Sequence, residues 1–346
     1  MRYLGLLLLS IGLLPIIAID SVLATSVRHT INSRFDPFAF QKNVVTCPSI
    51  NRAENKTVDL QLYYVDINPK AKETLLFLHG WPSLWASWKY QIQEFKNDYR
   101  LIIPDIRGFG ASTHPGDVQS SGPFPDLVGD VIHDWGTQLA YEAARERPDV
   151  VTAVVGITIP YMPAAGPFVP ISALVPEFPR LTYQLCNSEL DTDIRRTLRA
   201  TLRTVASPPP PDFLLSNSSY LVGWENVTTV SLTVVLSSAQ IPPIPFLSRR
   251  EEDYWNRVES YTFANSQGNE TVPQPVLSIL PTQDPVGDWV LAAKVLQSAT
   301  YLPNFMQAVV IQTLPGAHWV QLEVPDEVNT LIRDFLLTLR SSEGGT

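Results

Sequence analysis

Two stretches decide the fold: Thr74-Leu-Leu-Phe-Leu-His-Gly-Trp-Pro82 and Leu101-Ile-Ile-Pro-Asp-Ile-Arg-Gly-Phe-Gly110. Each begins with a short, continuously apolar run, Thr74 to Leu78 and Leu101 to Pro104, and each run ends in a turn that contains glycine. Apolar residues on both faces mark a strand covered on both sides. Trp85 to Phe95 between them has helical spacing, so the order is strand, helix, strand, the unit from which a parallel sheet with helices on both faces is built. Upstream, Lys56 to Asn68 alternates through Val58, Leu60, Leu62 and Tyr64, the period of a half-exposed antiparallel strand. The alternation returns downstream. Val151 to Ile159, Val276 to Leu280 and Ala308 to Thr313 read as strands; Thr137 to Arg147, Asp288 to Leu296 and Asp326 to Leu339 read as helices. The expected fold class is therefore α/β, a mostly parallel sheet with helices on both faces.

Composition narrows the function classes. The chain has 346 residues, 45% hydrophobic and 17% charged, enough to bury a full core. Its 25 basic and 34 acidic residues give a formal charge of −9, which lacks the basic footprint that nucleic-acid binding requires. Two cysteines, Cys47 and Cys186, cannot build a four-thiolate zinc site, and Gly108 to Gly110 supply no dinucleotide fingerprint, so no metal or cofactor is expected. Thirty prolines, against average usage of about 5%, exclude an all-helical bundle.

Residues 1–24 read as a signal peptide: Arg2, an apolar stretch from Tyr3 to Ile19, then the small residue Ala24 two positions after Val22. An uncleaved anchor through residues 3–19 is the alternative, with Pro15 and Asp20 against it. Sequons at Asn55, Asn217, Asn226 and Asn269 fit the secretory route. Residues 25–160 and 274–346 are the two parts of the sheet domain. Residues 161–273, rich in proline and poor in buried-strand patterns, read as an inserted cap. In it, Asp191 to Val205 has a helical apolar face, with Arg195, Arg196, Arg199 and Arg203 expected in solvent.

Four motifs follow strands, where ligands of open α/β sheets bind. His79-Gly80-Trp81-Pro82 can turn sharply and present backbone N–H groups to a developing anion, and Asp105 to Gly110 forms the next such turn. His133-Asp134-Trp135-Gly136 runs into a helix, the place where a nucleophile sits on a tight strand-to-helix turn. That place holds Asp134, and no Gly-x-Ser-x-Gly occurs, so a serine esterase is disfavoured. A carboxylate attacks an sp³ carbon and leaves an alkyl ester that water must hydrolyse. Gly316-Ala317-His318-Trp319 places His318 as general base on the loop after the last strand, with Asp284 as its orienting acid and Asp288 as the competing choice.

On these four motifs the sequence resembles the epoxide hydrolase branch of the α/β-hydrolase superfamily, from about Val44 to Leu339. The resemblance implies that Asp134 opens a small apolar epoxide and that water, activated by His318 with Asp284, hydrolyses the ester to a vicinal diol. It also implies two cap tyrosines that donate to the epoxide oxygen: Tyr183, in Leu181-Thr-Tyr-Gln-Leu185, and Tyr261, with Tyr254 as alternative. His79, Gly80, Trp81 and Trp135 would bind the substrate and the oxyanion. A haloalkane dehalogenase shares the Asp-His-Asp chemistry and would use indole donors such as Trp81 and Trp135.

Two departures stand beside the matches. Ile132 lies two residues before Asp134, where a small residue lets strand and helix backbones approach. Only 22 residues separate Gly110 from His133, too few for a loop, a crossover helix of about eleven residues and a strand of about five. The chain is expected to lack a central strand or its helix, which admits a third reading, a secreted and catalytically impaired hydrolase-like protein.

Overall fold

The computed structural model describes residues 35–51, 54–80, 83–113, 135–163, 167–185, 200–216, 218–219, 221–224, 265–266, 268–298 and 301–343. The chain divides into two compact units, Met1–Asp36 and Pro37–Thr346. All that follows concerns the second.

Strands β1 (Lys42–Asn51) and β2 (Lys56–Ile67) form an antiparallel hairpin with Cys47 opposite Leu60. Asn55 takes the left-handed turn conformation at φ +49°, which asparagine tolerates. Strand β3 (Thr74–Leu76) leads through a 3-10 turn (Trp85–Trp88) into α1 (Lys89–Phe95) and then β4 (Arg100–Pro104). The sheet order is β1-β2-β4-β3, with β4 antiparallel to β2 and parallel to β3. Helix α2 (Trp135–Glu146) precedes β5 (Val154–Ile157), the first strand of a second sheet. That sheet is parallel, ordered β5-β6-β7, with β6 (Val276–Pro281) at its centre and β7 (Val309–Leu314) beyond.

The alternating strand and helix patterns of the sequence are thus present, and β6 is buried at every position. β3 departs from expectation. The strand ends at Leu76, which is 51% exposed, with one further bond from the buried Phe77 N–H to the Ile102 carbonyl at 3.0 Å, although the apolar run predicts a strand buried through Leu78. Among the described residues β3 pairs only with β4, and β5 only with β6. Between these two unpaired edges lies a cavity of about 590 Å³, lined by Leu76 and Leu78 on one side and Val155 and Ile157 on the other. Ala140 of α2 and Phe335 of the last helix also line it. The segment 114–134, whose length raised the question of a missing strand, lies outside the described residues.

The middle of the chain is described in pieces: α3 (Ile171–Leu174), a 3-10 segment (Pro179–Leu185) and a small cluster of Ala200, Phe213, Leu214, Leu221 and Trp224. Arg203 corrects the sequence reading. It is buried, its guanidinium 4.6 Å from the Trp224 ring centroid and its Nε donating to the Ser207 carbonyl at 2.9 Å. Here the helical periodicity had run past the end of the helix, because Thr204 already bridges Ser207 in a turn. Arg195, Arg196 and Arg199 lie outside the described residues.

Helices α4 (Trp289–Leu296), α5 (Leu302–Phe305), α6 (Val320–Glu323) and α7 (Pro325–Glu343) complete the described chain. Val328, Ile332 and Phe335 make the buried stripe of α7. Gln91 of α1 fastens the His318 side of the molecule by donating to the Gln321 carbonyl and to Asn329 Oδ1, at 3.2 and 2.9 Å.

Candidate active site

The loops after β6 and β7 are stitched together by backbone hydrogen bonds from Thr282 to the Leu314 carbonyl and from Gln283 to the Gly316 carbonyl. That stitching delivers Asp284 to His318. His318 Nδ1 lies 2.8 Å from Asp284 Oδ2, with both residues buried. A carboxylate can only accept, so Nδ1 carries the proton and Nε2 is the nitrogen that can take one. The carboxylate is held on both oxygens: Oδ1 accepts from the Val286 N–H at 2.7 Å, and Oδ2 accepts also from the Trp289 indole Nε1–H at 2.7 Å. Asp288, the competing acid, is used otherwise. It is the N-cap of α4 and accepts from the Leu291 N–H at 3.0 Å.

The backbone of the His318 loop is fixed from two sides. Glu323 Oε2 accepts from the Ala317 N–H at 2.8 Å, while its Oε1 accepts from the Val205 N–H at 2.7 Å. Thr158, one residue past β5, donates its hydroxyl to the His318 carbonyl at 2.9 Å. It does so from a buried backbone at φ +80°, a conformation that costs a β-branched residue about 1 to 3 kcal/mol and that clusters at functional sites. The first turn of α2 is tied to the same strand end, since Thr137 Oγ1 donates to the Ile157 carbonyl at 2.9 Å. The start of α2 and the His318 loop are therefore both anchored at the carboxyl end of β5.

His79 is fully buried and spends both ring nitrogens on backbone. Nε2 accepts from the Ile106 N–H at 3.2 Å, which leaves Nδ1–H for the Gly80 carbonyl, also 3.2 Å away. Burial holds its pKa down at about 4, against the partial opposition of the Asp105 charge, so the ring is a neutral brace between the first two motif turns. Asp105 is itself buried, paired with Lys42 and accepting from the Trp85 N–H at 3.2 Å. Gly110, at φ +58°, lies so close to the Asp105 carboxylate that a side chain there would collide with it.

The structure thus brings together Asp284 and His318, and His79 and Gly80 brace the neighbouring turn. Asp134, Trp81, Tyr261 and Tyr254 lie outside the described residues. Trp135 opens α2 and Tyr183 lies in the 3-10 segment Pro179–Leu185, but their side chains are outside the description. Trp289, Thr158 and Glu323 were not singled out in the sequence. No sequence pattern marks them; Trp289 takes its place because Gly287 leaves room for the indole, a Cβ there coming within 2.9 Å of Cζ2.

A family model described as alpha/beta hydrolase fold matches residues 73–325. Among curated proteins, the chain is 27% identical over 295 residues to Epoxide hydrolase 3 of Xenopus tropicalis, covering 81% of this chain and 76% of that one. It is 24% identical over 328 residues to Epoxide hydrolase srdG of Neurospora crassa, covering 81% and 93%. Among solved structures, an epoxide hydrolase of Vigna radiata superimposes with a TM-score of 0.66 at 20% identity, covering 88% of this chain and all of that one. At that identity the superposition speaks for the fold alone.

Proposed function

The chain belongs to the alpha/beta hydrolase fold family, and from that premise we propose that it hydrolyses an apolar epoxide to a vicinal diol through an ester on Asp134. The observation that carries the reading is the 2.8 Å pair of Asp284 and His318 at the carboxyl ends of β6 and β7. A serine nucleophile has no motif in this chain, whereas Asp134 directly precedes α2, whose first turn is tied to β5 beside the His318 loop.

In the first step a carboxylate oxygen of Asp134 attacks one epoxide carbon and that carbon–oxygen bond breaks. The ring oxygen takes a proton from Tyr183, with Tyr261 as the second donor. In the second step His318 Nε2 removes a proton from water, and the oxygen attacks the ester carbonyl. The alkoxide leaves with the proton held by His318, and the second water proton passes from the Asp134 carboxyl to the Tyr183 phenolate, which restores both groups and releases the diol. Asp284 keeps the imidazole in the Nδ1–H tautomer and stabilises the imidazolium that forms. His79, neutral at working pH, braces the turn whose Gly80 and Trp81 would line the oxyanion side.

We also infer passage through the secretory route, with residues 1–24 as signal. Asn55, in a turn, and Asn269 are exposed with positive φ, accessible to a glycosyl transferase. A haloalkane dehalogenase would give indole or amide N–H groups to the halide, and the donors named for it, Trp81 and the side chain of Trp135, lie outside the described residues. A catalytically impaired protein is the second reading, favoured by the cavity between β3 and β5.

The test is turnover of an aryl epoxide in ¹⁸O-water. Diol formation with label accumulating in the Asp134 carboxylate over repeated cycles supports the reading, and an Asp134→Ala protein with unchanged rate overturns it.

A further inference from the structure

Asp284 Oδ2 has two donors, the His318 imidazole at 2.8 Å and the Trp289 indole at 2.7 Å. We propose that Trp289 is a positioning residue for this pair: its N–H fixes where the carboxylate points and takes a share of the charge that Oδ2 offers the imidazole. The proposal rests on the reading of His318 as the base that hydrolyses the ester.

The indole is placed deliberately by its surroundings. Asp288 caps α4 through the Leu291 N–H, which fixes the first turn of the helix and hence the root of the Trp289 side chain. The next two residues, Val290 and Leu291, are exposed, so the outer face of α4 looks to solvent. Trp289 instead folds back over the loop from Pro285 to Asp288. Gly287 makes that possible, since any Cβ there would come within 2.9 Å of Cζ2 and 3.1 Å of Cη2. The Val286 N–H closes the wrap on Oδ1 at 2.7 Å. With one donor on Oδ1 and two on Oδ2, the carboxylate cannot rotate away from the imidazole without breaking a charge-assisted hydrogen bond.

The indole also packs against the core cluster around Leu280 and Leu296, so the test must separate packing from hydrogen bonding. Trp289→Phe keeps an aromatic ring and removes the donor together with the five-membered ring, whereas Gly287→Ala keeps the whole indole and moves it. In resting Trp289→Phe protein labelled with ¹⁵N-histidine, His318 becomes the only side-chain donor on Oδ2 among the described residues, and its Nδ1–H proton should move downfield, assigned by its loss in His318→Gln. Gly287→Ala, which pushes the ring off the carboxylate, should shift the same proton in the same direction. With substrate, ester hydrolysis should slow by about tenfold while ester formation, and with it kcat/KM, stays put, short of the roughly 10²-fold that a 1 Å misplacement costs. A His318 proton unmoved in both folded variants overturns the proposal. Because that resonance is read without substrate, it tests Trp289 even if the chain makes no diol, an outcome that would count against the proposed function alone.

Discussion

Thr158 donates its hydroxyl to the backbone carbonyl of His318 across 160 positions of sequence, from a left-handed backbone at φ +80°. The bond links the end of β5 to the loop after β7 and sets the height at which the imidazole stands over the sheet. Thr158→Val keeps the branched shape and the strained backbone, and removes only the donor. The buried carbonyl then loses this donor, at a cost of about 1 to 3 kcal/mol. Urea unfolding should show that loss in Thr158→Val and not in Thr158→Ser; equal midpoints for all three proteins would deny the bond its importance.

His318 acts on the ester and not on ring opening. His318→Gln should therefore accumulate an alkyl-enzyme whose mass exceeds that of the protein by the mass of the substrate. Turnover without a trapped adduct would remove His318 from the mechanism.

Tyr183 separates the two halves of the functional reading. A ring oxygen needs a proton and a departing halide does not, so Tyr183→Phe should slow epoxide opening by about 10²-fold, the scale of one general acid, and leave any haloalkane reaction nearly unchanged. Parallel loss on both substrates would assign Tyr183 to packing.

His79 predicts the acid limit of stability. Its folded pKa is about 4, below the ordinary histidine value of 6.5, because burial disfavours the charged ring. The unfolded chain therefore binds the extra proton first as pH falls. The stability contributed by the neutral ring is complete above pH 6.5 and is lost on the way down to pH 4, by about 3 kcal/mol on an order-of-magnitude scale. Glu142 has the opposite sign. Burial raises it from 4.5 to about 6 despite Arg145, so its share of stability is lost as pH rises through that range. A thermal midpoint that falls between pH 6.5 and 4.5 in the native protein, and falls less in His79→Gln, is the expected result. Identical pH profiles would contradict it.

What the sequence shows and hides follows from the reach of the interactions. β6 and α7 are legible because their burial repeats locally, at every residue or every third to fourth. β1 escapes because it is an edge strand with most side chains in solvent, so its sequence is polar and carries a proline. Asp284 and Asp288 are indistinguishable as acids in sequence; helix capping by one and the loop-to-loop stitching of the other separate them. Trp289 and Thr158 look like an apolar helix residue and a strand-end turn, because their partners matter only once distant loops meet.

Among the described residues, β3 and β5 each have a partner strand on one edge only. Parallel strands sit about 4.8 Å apart and are covered on both faces, so a gap in mid-sheet leaves backbone N–H and C=O groups without partners. Here β3 and β5 both border the cavity of about 590 Å³, and Leu76 is half exposed where a parallel sheet would bury it. Each unsatisfied group costs about 1 to 3 kcal/mol against a total domain stability of about 5 to 15 kcal/mol, so a few suffice to unfold the chain. Only 22 residues lie between Gly110 and His133, too few for both a crossover helix and a strand to fill the space. On the second reading, of a catalytically impaired protein, the 346-residue chain is expected to express poorly or to lack activity, whereas a version with a helix and a strand restored between Asp126 and His133 should hydrolyse epoxides. Hydrogen exchange gives a readout that needs no substrate: amides of Leu75 to Phe77 and Val155 to Ile157 should exchange faster than those of Leu277 to Leu280, and slow to match them in the restored version. A cooperative melt, uniform protection of all three strands and diol formation by the unaltered chain would mean that its own short segment completes the sheet.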